Sequence, residues 1–136
     1  MAVRFIPDEL VPIFHADLIH RYGGHPGLRD AHLPASALAQ SKMTSGGKFL
    51  NRSIFDKAAA YGFHVCKNHP FIDGNKRIAF ALMDIFLLQN GWELNAQEEE
   101  AYATMIELST GKLNKAQLSA WLRKNTSRLS RESRTT

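Results

Sequence analysis

Apolar side chains recur at helical spacing along most of this chain. Leu10, Ile13, Phe14, Leu18 and Ile19 share one face after Pro7, a residue tolerated in a first turn, and the pattern stops at Gly23-Gly24. A helix over residues 7–21 is expected. The stretch GGHPGLRD, residues 23–30, is glycine and proline punctuation and reads as a loop. Leu33 to Lys42 reads as a short helix, broken again over Thr44 to Lys48. Ser53 is an N-cap for a longer helix running to Lys67, with Ile54, Phe55, Ala58, Ala59, Tyr61, Phe63 and Val65 building its apolar face. From Asn75 to Asn90 the run IAFALMDIFLL is apolar nearly all the way round, which in a soluble protein describes a central buried helix, capped by Gly91. Helices over Ala96 to Ser109 and Asn114 to Lys124 close the chain around Gly111, and only Ala2 to Ile6 and Trp92 to Leu94 suit short strands. The expected fold is all-α, a compact bundle of about six helices around a central buried one.

Composition narrows this picture without changing it. At 136 residues and 44% hydrophobic, the chain has the size of one globular domain with one core. Its one cysteine, Cys66, cannot form an intramolecular disulfide. No stretch approaches the roughly 18 uninterrupted apolar residues of a membrane span, and MAVRFIPDEL lacks the apolar run of a signal peptide. A cytoplasmic protein with no membrane partner is expected.

The net charge of +4 is concentrated at one end. From Arg123 to Arg134 five cations face one acid, Glu132, so the body is close to neutral. Residues 1–124 are therefore expected to form the domain, and 125–136 a basic, disordered tail. Without aromatic residues interleaved to stack on bases, the tail does not make a nucleic-acid partner.

Chemistry concentrates in residues 69–77, HPFIDGNKR. A histidine, a carboxylate, an amide and two cations surround Gly74, immediately before the apolar helix. Gly74 can take backbone angles that let main-chain amides approach an anion. Asn75, Lys76 and Arg77 follow at a helix start, where unpaired amides and the helix dipole favour negative charge. Phosphate binding is the expectation, with Phe71 anchoring the loop. Pro70 is expected to hold the backbone of His69 extended, keeping the imidazole clear of the preceding helix.

This run resembles the signature of the Fic superfamily, and specifically its death-on-curing (Doc) branch of toxin–antitoxin toxins. Two flanking stretches, RYGGHPGLRDAHLPASAL at 21–38 and IFDKAAAYGFHVCKNHPF at 54–71, resemble the same branch, so the similarity covers about residues 4–124. It implies a Fic/Doc-like fold and a set of roles. His69 would be the general base, Asp73 would hold Mg²⁺, and the Gly74 amide with Asn75, Lys76 and Arg77 would receive the phosphate under attack, Lys67 adding charge from the preceding helix. Adenylylating members carry a second arginine three residues after the first. Here that position is Phe80. In Doc-like relatives this departure goes with ATP bound in reverse and with transfer of phosphate instead of AMP.

The resemblance thus implies an Mg-ATP-dependent kinase toxin that modifies a hydroxyl of a target protein, a translation elongation factor, and arrests translation and growth. It also implies a cognate antitoxin acting in trans, since the S/TxxxE/DGN inhibitory motif is absent. An AMP transferase and a catalytically silent nucleotide- or protein-binding module remain as alternatives. His15, His20, His25, His32 and His64 show no metal-ligand spacing and read as surface or core residues, and Cys66 as a small core residue.

Overall fold

Two capping boxes set where helices begin in the computed structural model, which describes residues 2–129. A short 3-10 turn, Asp8–Leu10, runs into α1, Val11–Tyr22, with a proline in its first turn. Gly23 ends it, its N–H reaching the Ile19 carbonyl at 2.8 Å. Helix α2 spans Leu33–Lys42, within the residues expected. At the start of α3, Ile54–Asn68, the Ser53 hydroxyl accepts from the Asp56 amide at 2.9 Å while the Asp56 carboxylate accepts from the Ser53 amide at 3.3 Å. Such reciprocal capping satisfies two of the orphan donors of a helix start. Asn114 and Gln117 repeat the arrangement at α6, Lys115–Lys124. Between them lie α4, Asn75–Gln89, and α5, Glu98–Ser109.

Helix α3 packs against α2, α4 and α6, and α4 also meets α1 and α5. On α4, Ile78, Ala79, Leu82, Met83, Phe86 and Leu87 are fully buried along one face, whereas Phe80, Ala81, Asp84 and Ile85 are half-buried and Leu88 is 44% exposed, so the helix is central but not buried all round as expected. Each large side chain on the buried face contributes about 1.5–3 kcal/mol by leaving water. Gly62 brings α3 close to α4, because a β-carbon there would collide with Met83 Sδ. The all-α expectation holds for the six helices, with strands confined to two small pairs among the described residues. No described helix is long and apolar enough to cross a membrane.

Three local expectations are corrected. Residues 2–6 make no strand, because the Asn90 side-chain amide takes both hydrogen bonds of Arg4, accepting from its N–H and donating to its carbonyl, each at 2.9 Å. The break after α2 is a small hairpin, β1 Thr44–Ser45 paired with β2 Lys48–Phe49, turned by Gly46-Gly47. The segment expected to open a disordered tail instead forms β4, Thr126–Arg128, antiparallel to β3, Trp92–Leu94. Arg128 covers the Trp92 ring, its guanidinium 4.8 Å from the ring centroid. What was expected of residues 130–136 lies outside the described residues.

Candidate active site

The run HPFIDGNKR becomes a tight loop between α3 and α4, and both of its ends are left-handed. Gly74, at φ +76°, is the N-cap of α4, and the amides of Asn75, Lys76 and Arg77 behind it have no helical acceptor. Three unpaired N–H groups at a helix start are an arrangement that can receive an anion. The Gly74 amide does not join them. It donates instead to Asp73 Oδ1 at 2.8 Å, which corrects the expectation that it faces a phosphate.

His69 caps α3 at φ +46° and ψ +57°, the one non-glycine residue with positive φ among those described. The extended backbone expected from Pro70 is therefore wrong. The helix end requires a left-handed turn to redirect the chain, and the His69 N–H still reaches the Val65 carbonyl at 3.2 Å.

Asn75 ties the loop to itself. Its Oδ1 accepts from the Phe71 amide at 3.1 Å and its Nδ2 donates to the Phe71 carbonyl at 2.9 Å. This pairing fixes the amide orientation and points the second Nδ2 hydrogen toward His69 Nδ1, at a long 3.4 Å. An amide nitrogen only donates, so Nδ1 is the acceptor of that contact and the neutral ring then carries its proton on Nε2. The side chain of Asn75, expected at the phosphate, is thus committed to the loop backbone, which leaves its main-chain N–H as the group that could meet an anion.

Phe71 is the anchor expected of it, buried at 2% exposure. His15, from α1, stacks on it with ring centroids 3.7 Å apart and 8° between planes. The same imidazole reaches the Asp73 carbonyl at 2.7 Å, and since a carbonyl can only accept, Nε2 of His15 carries a hydrogen. The side chain of Asp73 is exposed, and its carboxyl is held below the usual range by the His25 amide on Oδ2, the Gly74 amide on Oδ1 and the charge of Arg77. Its ionised oxygens suit a hard cation. Among the described residues no group of three or more His, Cys, Asp or Glu gathers around it. A single carboxylate completed by phosphate oxygens and water is the donor set Mg²⁺ accepts.

The segment read only as a loop, GGHPGLRD, lies along the signature. Ile72 donates to the Gly27 carbonyl at 3.1 Å, Arg29 donates to the Pro70 carbonyl at 2.9 Å, and Leu28 bridges Phe71. Gly24, at φ +122°, comes so close that a β-carbon would lie 2.8 Å from Asp73 Oδ2. A side chain there would have to push the Asp73 carboxylate aside, and the backbone angle itself favours glycine.

A cleft of about 1080 Å³ opens beside the loop. Asp73, Gly74, Asn75, Lys76 and Arg77 line one side, with Phe80 and Asp84 further along α4 and Glu98, Glu99 and Tyr102 across from them. Neither Lys76 nor Arg77 is ion-paired among the described residues. The Arg77 guanidinium lies over the exposed Tyr22 ring, 4.5 Å from its centroid, so an aromatic face and not a carboxylate holds it. Burial, and then Glu93, push the Asp84 carboxyl above the usual range.

Of the residues expected at the site, Asp73 to Arg77 come together in the cleft, whereas His69 does not line it and adjoins it only through its long contact with Asn75. Lys67 does not line the cleft, and its Nζ sits 5.6 Å over the Phe63 ring centroid. Cys66 is buried as expected, and burial pushes its thiol up to about 11, so it stays a protonated core group. His15, Tyr22 and Arg29 were missed. Only the glycine density at 23–27, which signals close backbone approach, pointed toward their neighbourhood.

A model of the Fic/DOC family matches residues 6–87. Over 75 residues the chain is 39% identical to a protein called Toxin Doc of Mycolicibacterium smegmatis, a match covering 55% of this chain and 58% of that protein. Over 118 residues it is 28% identical to one called Protein kinase doc of Escherichia phage P1, covering 87% and 91% of the two chains.

Proposed function

The chain belongs to the Fic/DOC family, and from that premise we propose that it is a death-on-curing toxin that transfers phosphate from Mg-ATP to a hydroxyl of a target protein. The observation that carries this is the content of the cleft. Three free amides, Lys76 and Arg77 converge at one end of α4, whereas Phe80, one turn on, offers no cation for a second phosphate grip. One phosphate is held strongly, and it is the one attacked.

In this mechanism the γ-phosphate lies against the amides of Asn75, Lys76 and Arg77, whose fixed N–H groups stabilise the charge that builds on its oxygens. Asp73, ionised and exposed, is the residue that would hold Mg²⁺; the ion, when bound, neutralises phosphate charge. His69 takes the proton of the target hydroxyl as its oxygen bonds to phosphorus and the bond to the ADP oxygen breaks. To do so through Nε2 the ring gives up its long contact with Asn75 and carries its resting proton on Nδ1. Catalytic hydrogen bonds of this kind commonly tighten or switch only when substrate arrives.

The target is a protein of the translation apparatus, an elongation factor, and its modification arrests growth. A cognate antitoxin neutralises the protein in trans by covering the cleft. The relative called Protein kinase doc and the absence of a second arginine at Phe80 both favour phosphate over AMP transfer. Incubation of the purified protein with ATP labelled at the α- or the γ-phosphate, in a translation extract, tests this. Label is expected on a protein only from the γ-position and only with His69 intact; transfer from the α-position, or equal labelling by His69→Ala, overturns it.

A further inference from the structure

The residue that opens the proposed active loop, His69, stands in a backbone conformation that a non-glycine residue adopts only when its surroundings impose it, at φ +46°. Three contacts meet there. The N–H reaches back to Val65, Asn75 touches the ring, and the third comes from Arg29, outside the signature run and given no role by the sequence. Arg29 Nε donates to the His69 carbonyl at 2.7 Å and Arg29 Nη2 donates to the Asn68 carbonyl at 2.6 Å.

These two carbonyls lie at the C-terminal end of α3, where the last acceptors of a helix have no partner within it and the dipole is negative. A guanidinium supplies both charge and a planar fork, so two adjacent carbonyls are held in one fixed relation. The backbone of Arg29 completes the grip, its amide donating to the Pro70 carbonyl at 2.9 Å. One residue thus binds the carbonyls of Asn68, His69 and Pro70 in succession, across the left-handed turn. The contacts of its neighbours Gly27 and His25 with Ile72 and Asp73 continue the same pairing along the loop.

We propose that Arg29 is a positioning residue for His69: its guanidinium clamps the end of α3 so that the imidazole is held at the reacting hydroxyl. It touches neither phosphate nor ring. It acts by fixing the backbone from which the ring projects. The inference rests on the assignment of His69 as the base, and its test separates the two.

Three full-length proteins are compared: wild type, Arg29→Ala and Arg29→Lys, each checked for wild-type circular dichroism. Displacing a catalytic group by about an ångström lowers turnover on the order of 100-fold, so kcat is expected to fall roughly 10- to 100-fold in Arg29→Ala. KM for ATP should stay within about twofold, because the anion-receiving amides are untouched. Arg29→Lys should recover little, since an ammonium cannot span both carbonyls, whereas millimolar guanidinium should partly restore Arg29→Ala. The His69 ring ¹⁵N resonances, read without any substrate, should shift or broaden in both variants. Wild-type kcat and unchanged His69 resonances in Arg29→Ala overturn the inference, as does full recovery in Arg29→Lys. An inactive wild type, or one indifferent to His69→Ala, overturns the assignment of the base instead and leaves the resonance comparison to decide the clamp.

Discussion

Replacing Asn75 by Ala removes a side chain that is 8% exposed and makes both hydrogen bonds of the Phe71 backbone. Phe71 itself is 2% exposed, so its N–H and carbonyl have no water to turn to. Leaving a buried polar group unpaired costs about 1–3 kcal/mol, and two are orphaned here, for a sum of about 2–6 kcal/mol. The better helix propensity of alanine returns only about half a kcal/mol. Relaxation of an exposed loop and entry of water reduce the cost further, so the expected loss is about 2–4 kcal/mol. Urea unfolding at neutral pH measures it as a shifted midpoint at unchanged slope. Asn75→Asp should do no better, because a carboxylate oxygen would then face the Phe71 carbonyl where Nδ2 now lies at 2.9 Å. A loss below about 1 kcal/mol in Asn75→Ala would refute the assignment of this amide to the loop and return it to the phosphate.

Gly24→Ala places a β-carbon against Asp73 Oδ2 at a residue held at φ +122°. Transfer should then need several-fold more Mg²⁺ for half-maximal rate, and a Mg²⁺ titration superimposable on wild type would count against Asp73 as its ligand. His64 makes a separate prediction about stability. Burial, reinforced by the Lys115 ammonium, lowers its pKa from 6.5 to about 4, and Lys115 Nζ donates to His64 Nε2 at 3.4 Å. The folded state therefore binds fewer protons than the unfolded state between those values, so this stability is present above pH 6.5 and lost as pH falls toward 4. Allowing for partial exposure, the loss is roughly 1–2 kcal/mol, and His64→Gln should flatten the acid limb of the stability curve by that amount. Identical acid limbs in the two proteins would exclude it.

The helices were legible because each is written locally. Ser53 and Asp56 lie within one turn, and the apolar run from Ile78 to Leu88 needs no partner to be recognised as a helix with a buried face, although its apolar content overstated how much of that helix is covered, since Leu88 is exposed. What failed depended on distant pairing. The strand Thr126–Arg128 exists because Trp92–Leu94 offers it an edge, and its Ser, Thr and Arg content alone reads as a disordered tail. The N-terminal segment fails as a strand for the converse reason: Asn90, 86 residues away, takes the place of a neighbouring strand for Arg4.

The site divides along the same line. Asp73 to Arg77 are contiguous, so a helix start brings them together without help from the rest of the fold. His69 lies beside them at the mouth of the loop, but its backbone was wrongly drawn, because the proline rule acts on one residue whereas the helix end, Asn75 and Arg29 act on it together. Arg29 and His15 come from 40 and 58 residues away and bind main-chain carbonyls. A carbonyl belongs to every residue, so a side chain that recognises one leaves no complementary residue type to find. The glycines do leave a trace: the signature loop lies close against Gly24 and pairs with the Gly27 carbonyl, and both glycines hold left-handed backbone angles, φ +122° and +108°. Glycine density between helices therefore marks where a second segment braces an active loop, and the cation within that segment, here Arg29, is the one to test first.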